Sequence, residues 1–298
     1  MPLTMHTSNS GKRDSRACGR LAQAKKVTPL SSDGRDPSLY WSLNQKLSSI
    51  VTRRYLINTS PIIYSPELYC MGSLNMSLDD KLKALADYNA CDISDALLKL
   101  KVPGAGFLAD IAPHNLSPSQ SPIIAPAHTV LFAPKSSSVP SSLPPSSHFA
   151  DLTPPSTITV ISQPPGQRNA VLGGLVAARI QKLGSVGIVV DGRIRDISEL
   201  RSLGVNVWAK GASTVGAGGE SKCVGVGVEI EVEGVKIVPG DIIFADPTNG
   251  VVSIPQDKLD AVLELLPKIT GADEKVRIDV LENNSGLQDA FKKHRSNL

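Results

Sequence analysis

The stretch Gly187-Ile188-Val189-Val190-Asp191-Gly192-Arg193-Ile194-Arg195-Asp196 constrains this chain more than any other. Its apolar first part suits a buried strand, the kind found in parallel sheets with both faces covered. The surrounding pattern agrees. A helix is expected over about 169–183, set off by Gly184, then a strand over 186–190 and a turn over 191–196. A short helix over 197–203 ends at Gly204, and a strand over 205–209 follows. Alternation of this kind implies parallel βαβ units. The turn over 191–196 brings two arginines and two aspartates to the end of a rigid strand.

The pattern differs on either side. Ser77-Leu78-Asp79-Asp80 resembles a capping box ahead of a first helix. A second helix is expected over about 92–100 and stops at Pro103-Gly104. His128 to Phe132 reads as a strand, and Pro134 to Ser156 as a flexible loop or lid. Thr157 to Ile161 is a β-branched strand. After Gly219 the spacing turns to short strands, at about 224–232, 235–237, 242–245 and 251–254. They suggest an antiparallel or barrel-like section, closed by a helix over about 258–266. Three segments result: a disordered or targeting extension over 1–72, a domain over 77–270, and a charged, partly helical tail over 271–298.

Composition narrows the function classes. The 298 residues are 41% hydrophobic, enough for a substantial core. Net charge is only +3 and aromatic content 4%, so neither a basic stripe nor a stacking platform for nucleic acid is expected. Cys18, Cys70, Cys91 and Cys223 are scattered, which argues against zinc and against a disulfide framework. Reduced thiols point to an intracellular, cytoplasmic protein. The basic, serine-containing first thirty residues leave a mitochondrial address open. No apolar run is long enough to cross a bilayer.

Each candidate motif has two readings. Gly173-Gly174-Leu175-Val176 near a helix start offers either close helix–sheet packing or free amides for an anion. Gly216-Ala217-Gly218-Gly219 completes no nucleotide-binding fingerprint and reads as a flexible loop. Asp191, Arg193, Arg195 and Asp196 are either a helix-capping ion pair or a site. In a site, arginine forks to a carboxylate and aspartate supplies a hard oxygen to Mg²⁺ or Mn²⁺. Asp246, at the end of an apolar strand, reads either as a site residue or, the favoured reading, as a turn-stabilising carboxylate.

Taken in order, four motifs resemble the RraA-like family. They are Gly173 to Ala178, Gly187 to Asp196, Val238 to Asp241, and Ala245 to Pro255, within about 77–269. The resemblance implies an α/β fold of the swivelling, phosphohistidine-domain-like β/β/α type with a β-barrel-like centre. It also implies homotrimers or homohexamers with sites at subunit interfaces. Enzymatic members use Mg²⁺ or Mn²⁺ to cleave a C–C bond beside a 2-oxo acid. By match, Asp196 is the metal ligand and Arg195 the substrate-binding arginine, both catalytic. Gly173, Gly174, Leu175 and Val176 match the backbone that holds substrate. Some bacterial members carry an acid at the position of Gly174.

The resemblance therefore implies a metal-dependent lyase producing pyruvate through a metal-stabilised enolate. The expected reactions are 4-hydroxy-4-methyl-2-oxoglutarate aldol cleavage and oxaloacetate decarboxylation. The alternative is a non-catalytic regulator of RNA processing that binds another protein.

Overall fold

The computed structural model describes residues 76–114 and 121–296. The extension expected over 1–72 lies outside the described residues. Helix α1 is Leu78–Leu85, and Ser77 Oγ accepts the Asp80 amide at 3.2 Å, as the capping pattern predicts. Helix α2, Ala90–Lys99, begins slightly earlier than expected. The reason is a reciprocal cap: Asn89 accepts the Asp92 amide and Asp92 accepts the Asn89 amide.

The strands in chain order are β1 (Phe107–Leu108), β2 (Ala112–Pro113), β3 (Ile123–Pro134), β4 (Ile158–Ser162), β5 (Gly187–Ile194) and β6 (Val207–Ala212). They continue as β7 (Ser221–Val226), β8 (Ile230–Val232), β9 (Val235–Ile237), β10 (Ile242–Asp246) and β11 (Gly250–Ile254). Helices α3 (Gly174–Lys182) and α4 (Ile197–Leu203) fall between β4 and β6, and α5 (Leu259–Leu281) and α6 (Leu287–His294) follow the last strand.

Strands β3, β4, β5 and β6 pair in parallel, as the βαβ reading expects. The full order is β1-β11-β10-β3-β4-β5-β6-β2, and β7 pairs with the second half of β3. The two ends of that order, β1 and β2, are consecutive in the chain. The sheet therefore curls round to meet itself, giving the barrel-like centre. The hairpin of β8 and β9 packs inside it: Ile230, Val232, Val235 and Ile237 cluster with Val160, Val189 and Trp208.

Side-chain alternation explains why β4–β6 are apolar throughout. Val160, Val189 and Trp208 face the barrel interior. Ile161, Ile188, Val190, Val207 and Ala209 instead pack with Ala177 and Ile180 of α3 and Leu200 of α4. A third cluster sets Leu85, Ile93, Leu97, Val262 and Leu266 of α1, α2 and α5 against Phe244, Val252 and Ile254.

Several boundaries differ from expectation, each for a backbone reason. Strand β5 runs on to Ile194, so most of the expected turn over 191–196 is strand. It continues because β6 stays paired to it after a register shift: Val190 faces Ala209, but Arg193 faces Gly211. Helix α3 starts at Gly174 instead of about 169. Residues 170–172 instead run beside β5: Val171 donates to Arg193 O, Arg195 donates to Leu172 O, and Leu172 forms a single parallel bridge with Ile194. The loop after β3 is not a free excursion. The Ser142 amide donates to Val224 O at 2.8 Å and Lys222 Nζ to Ser137 O at 2.6 Å, while Phe149 is buried.

Helix α5 passes through Pro267 and across residue 270 to Leu281. Buried Ile269, Ala272 and Val276 hold it past the proline, which costs one helical N–H. It then pairs with α6 through Asp279, which accepts hydrogen bonds from Lys293 at 2.8 Å and contacts His294 Nε2 at 2.8 Å.

Candidate active site

Arg195 and Asp196 sit where β5 hands over to α4. Asp196 occupies the N-cap position of α4 with φ 59°, in the left-handed region that aspartate tolerates better than most side chains. Its carboxylate makes no capping bond to its own helix. Instead Asp196 Oδ2 accepts the amide of Gly174, the first residue of α3, at 3.1 Å. The same oxygen lies 3.4 Å from Arg195 Nε. Oδ1 has no protein partner among the described residues.

Two glycines make this closeness possible. A Cβ on Gly173 would lie 2.7 Å from Asp196 Oδ2 and 3.0 Å from Arg195 Nε. A Cβ on Gly216 would lie 3.0 Å from Arg195 Nη1. The arginine thus passes between the α3 N-terminus and the loop after β6, which sequence reasoning took for an uninvolved flexible loop. That loop is pinned from below by buried Asn169, whose Nδ2 donates to Ala217 O at 3.3 Å and to Ser221 Oγ at 2.9 Å. Gln163 donates to Asn169 O and accepts the Arg193 amide at 2.9 Å, tying the network to the irregular part of β5.

Gly173, Gly174, Leu175, Val176, Arg195 and Asp196 are therefore gathered in one place. The amides of Leu175 and Val176, in the first turn of α3, find no acceptor among the described residues. Such a helix start favours an anion. Arg195 and Asp196 remain accessible, with side chains 45% and 39% exposed.

Sequence reasoning missed Glu199. It stands at the third position of α4, and a Cβ on Gly174 would lie 2.0 Å from Glu199 Oε2. A carboxylate thus covers Gly174 from another helix. An acid three residues after an N-cap was a visible signal, but it reads equally as a capping-box residue.

Asp191 and Arg193 belong elsewhere. Asp191 is buried and pairs with Lys210 Nζ at 2.5 Å, and Lys210 also binds Glu233 in the β8–β9 turn. Burial pushes the Asp191 carboxyl up despite its lysine partner. Burial alone would lower the Lys210 amine, but hydrogen bonds to Asp191 and Glu233 hold it above the usual lysine range. This triad borders a cleft of about 710 Å³ that includes neither Arg195 nor Asp196. It locks the interior hairpin to β5, while Arg195 and Asp196 stand on the exposed rim.

The donor set suits a hard cation. Asp196 Oδ1 is available and Glu199 lies close by; among the described residues no group of three or more His, Cys, Asp or Glu side chains encloses a metal. Mg²⁺ and Mn²⁺ accept such sparse protein ligation, because water and substrate oxygens complete their shells.

A curled mixed sheet flanked by helices, with an Arg–Asp pair at the end of a parallel strand, defines a mixed α/β domain. Residues 90–253, just over half of the chain, match the RraA-like family model, described as aldolase/RraA, and the chain belongs to that family. It is 28% identical over 214 residues to protein DlpA of Legionella pneumophila, covering 72% of this chain and 34% of that protein. It is 35% identical over 89 residues to a 4-hydroxy-4-methyl-2-oxoglutarate aldolase of Thermus thermophilus, covering 30% of this chain and 53% of that enzyme. The chain thus matches only about a third to a half of these relatives' own lengths. Among solved structures it is similar to Streptomyces coelicolor RraAS2, a member of the RNase ES inhibitor RraA family. That match has a TM-score of 0.59 at 24% identity and covers 67% of this chain and 97% of that one. Among the described residues, no helix is long and apolar enough to cross a membrane.

Proposed function

We propose that this chain is a divalent-metal-dependent carbon–carbon lyase that releases pyruvate from 2-oxo dicarboxylates. The observation that carries this reading is the Asp196 carboxylate. It is turned away from its own helix, is shared between Arg195 and the α3 amide, and keeps one oxygen available. An ion pair that only capped α4 would bond to α4. Relatives named as 4-hydroxy-4-methyl-2-oxoglutarate aldolases supply the substrate class. Oxaloacetate is the second candidate, since loss of CO₂ leaves the same enolate as aldol cleavage does.

Bound Mg²⁺ or Mn²⁺, held by Asp196, would supply Lewis acidity at the keto oxygen of the substrate. The chain's own groups do the rest. The Leu175 and Val176 amides and the helix dipole hold a substrate carboxylate. Arg195 presents its planar fork to the oxygen on which negative charge grows as the C–C bond breaks. Gly173 and Gly216 let the guanidinium lie against backbone, which fixes its direction.

On one chain this site is open, and Leu175 stands 81% exposed beside it. A homotrimer or homohexamer that closes the site from a neighbouring subunit is the assembly we propose, readable by light scattering.

The direct test measures pyruvate release from oxaloacetate and from 4-hydroxy-4-methyl-2-oxoglutarate, with and without EDTA. Turnover should need the metal and should vanish in Arg195→Ala and Asp196→Ala. Turnover that survives EDTA, or full activity in either variant, would end this reading. Absence of turnover together with capture of a ribonuclease would favour the regulator instead.

A further inference from the structure

We infer that the pocket beneath the segment 135–149 is the subsite for the substituent at C4 of the aldol, and that this substituent is an apolar, ring-sized arm; the inference rests on the lyase reading above. The pocket has a volume of about 490 Å³ and reaches the site at two residues. Val176 stands in the first turn of α3, and Ala217 follows Gly216, whose backbone lies against Arg195. A 2-oxo acid held between Arg195 and the α3 amides therefore has this pocket beside it.

The walls decide what fits. Val176, Ala217, Leu143, Phe132 and Phe149 supply apolar surface. Phe132 and Phe149 meet edge to face with ring centroids 5.4 Å apart, so the aromatic wall is already set. Among the described residues no Asp or Glu lines the pocket, and its lysine, Lys222, donates to Ser137 O at 2.6 Å. Cys223 adds a neutral wall, because burial pushes its thiol up to about 11. The roof is tied down: the Ser142 amide donates to Val224 O at 2.8 Å, and Lys135 Nζ donates to Gly218 O at 2.7 Å, in the turn that flanks Arg195. The pocket is thus formed before a ligand arrives, and its size falls in the range of about 300–1,000 Å³ that holds whole small molecules. A methyl group at C4 would leave most of it empty.

The reaction is that of the proposed site with a larger group at C4. In 4-benzyl-4-hydroxy-2-oxoglutarate the C3–C4 bond breaks, the C4 hydroxyl becomes a carbonyl, and one proton passes to C3. Phenylpyruvate and pyruvate result, and atoms and electrons balance with no co-reactant. The ring packs between Leu143, Val176 and the two phenylalanines, while the 2-oxo acid end keeps its place at Arg195.

The test compares kcat/KM of the full chain for the 4-methyl and 4-benzyl aldols, with Leu143→Trp alongside. One methylene in an apolar pocket changes kcat/KM by about tenfold or more, so the benzyl compound should lead by at least about tenfold. Leu143→Trp fills the pocket and should remove that lead, while the methyl compound and oxaloacetate turn over as in the parent. By the same reasoning, phenylpyruvate should inhibit oxaloacetate decarboxylation by the parent at roughly a tenth of the pyruvate concentration needed. Should Leu143→Trp melt well below the parent, the inhibition measurement decides alone. Equal rates on the two aldols, a lead that survives in a folded Leu143→Trp, or equal inhibition would overturn the subsite. So would a preference for an aldol whose arm ends in a carboxylate, lost in Lys222→Met, since the pocket would then read charge. A parent that decarboxylates oxaloacetate but does not cleave the benzyl aldol overturns the subsite and leaves the lyase reading intact. A parent with no metal-dependent reaction removes both.

Discussion

Asp196 caps a helix that is not its own: its Oδ2 accepts the Gly174 amide at 3.1 Å from the far side of the β5–α4 junction. This one bond joins the end of a parallel strand to the start of the helix that precedes it in the chain. It orients the carboxylate and leaves its second oxygen facing out.

Gly173→Ala tests that closeness. Its new Cβ would fall 2.7 Å from Asp196 Oδ2 and 3.0 Å from Arg195 Nε, so the pair must shift. Small misplacements of reacting groups are expensive, and kcat/KM for pyruvate release should drop by about tenfold to 100-fold. Circular dichroism and melting should change little, because the disturbed groups are partly exposed.

Lys210→Met should act on stability. It leaves buried Asp191 without its partner and frees Glu233 in the hairpin turn. Breaking a buried pair from one side costs several kcal/mol; because Glu233 is half exposed, about 3 kcal/mol is expected in urea unfolding. Adding Asp191→Asn should recover part of the loss.

Trp208→Ala probes the barrel interior. Trp208 is fully buried between the β5 strand and the β8–β9 hairpin cluster. Truncation should cost roughly 3–5 kcal/mol, measured as a lower denaturation midpoint with an unchanged slope.

Asp246 gives the pH prediction. Burial alone would raise its carboxyl, but hydrogen bonds from the Asn249 side chain and from the Thr248, Ala90 and Asn249 amides hold it below the ordinary carboxylate value. A depressed folded value means stabilisation that is complete above the unfolded pKa and lost as pH falls through the folded one. The parent should therefore out-melt Asp246→Asn near neutral pH, and the gap should close below about pH 4.

The parallel layer was legible because β4–β6 are apolar on both faces, and periodicity reports burial. The Arg195–Asp196 pair was legible as a choice between two readings, and geometry decided against self-capping. Other features left no local trace. Nothing in residues 170–172 shows that they extend alongside β5, since that depends on partners at Arg193 and Val215. Glu199 was hidden for the same reason: the residue it covers lies 25 positions earlier in the chain. The passage of α5 through Pro267 likewise rests on tertiary burial outweighing one lost hydrogen bond.

The register shift in β5 carries a consequence for sequence change. Three steps along β5, from Val190 to Arg193, match two along β6, from Ala209 to Gly211. Removing one residue there, Gly192 for instance, would restore an even ladder and turn every later side chain to the opposite face. Ile194 would leave the helix-side core, and the guanidinium and carboxylate beyond it would lose their place against Gly173. The segment from Val190 to Arg195 can thus exchange residues but not change in number: its parity, more than its chemistry, decides which side of the wall the site is on.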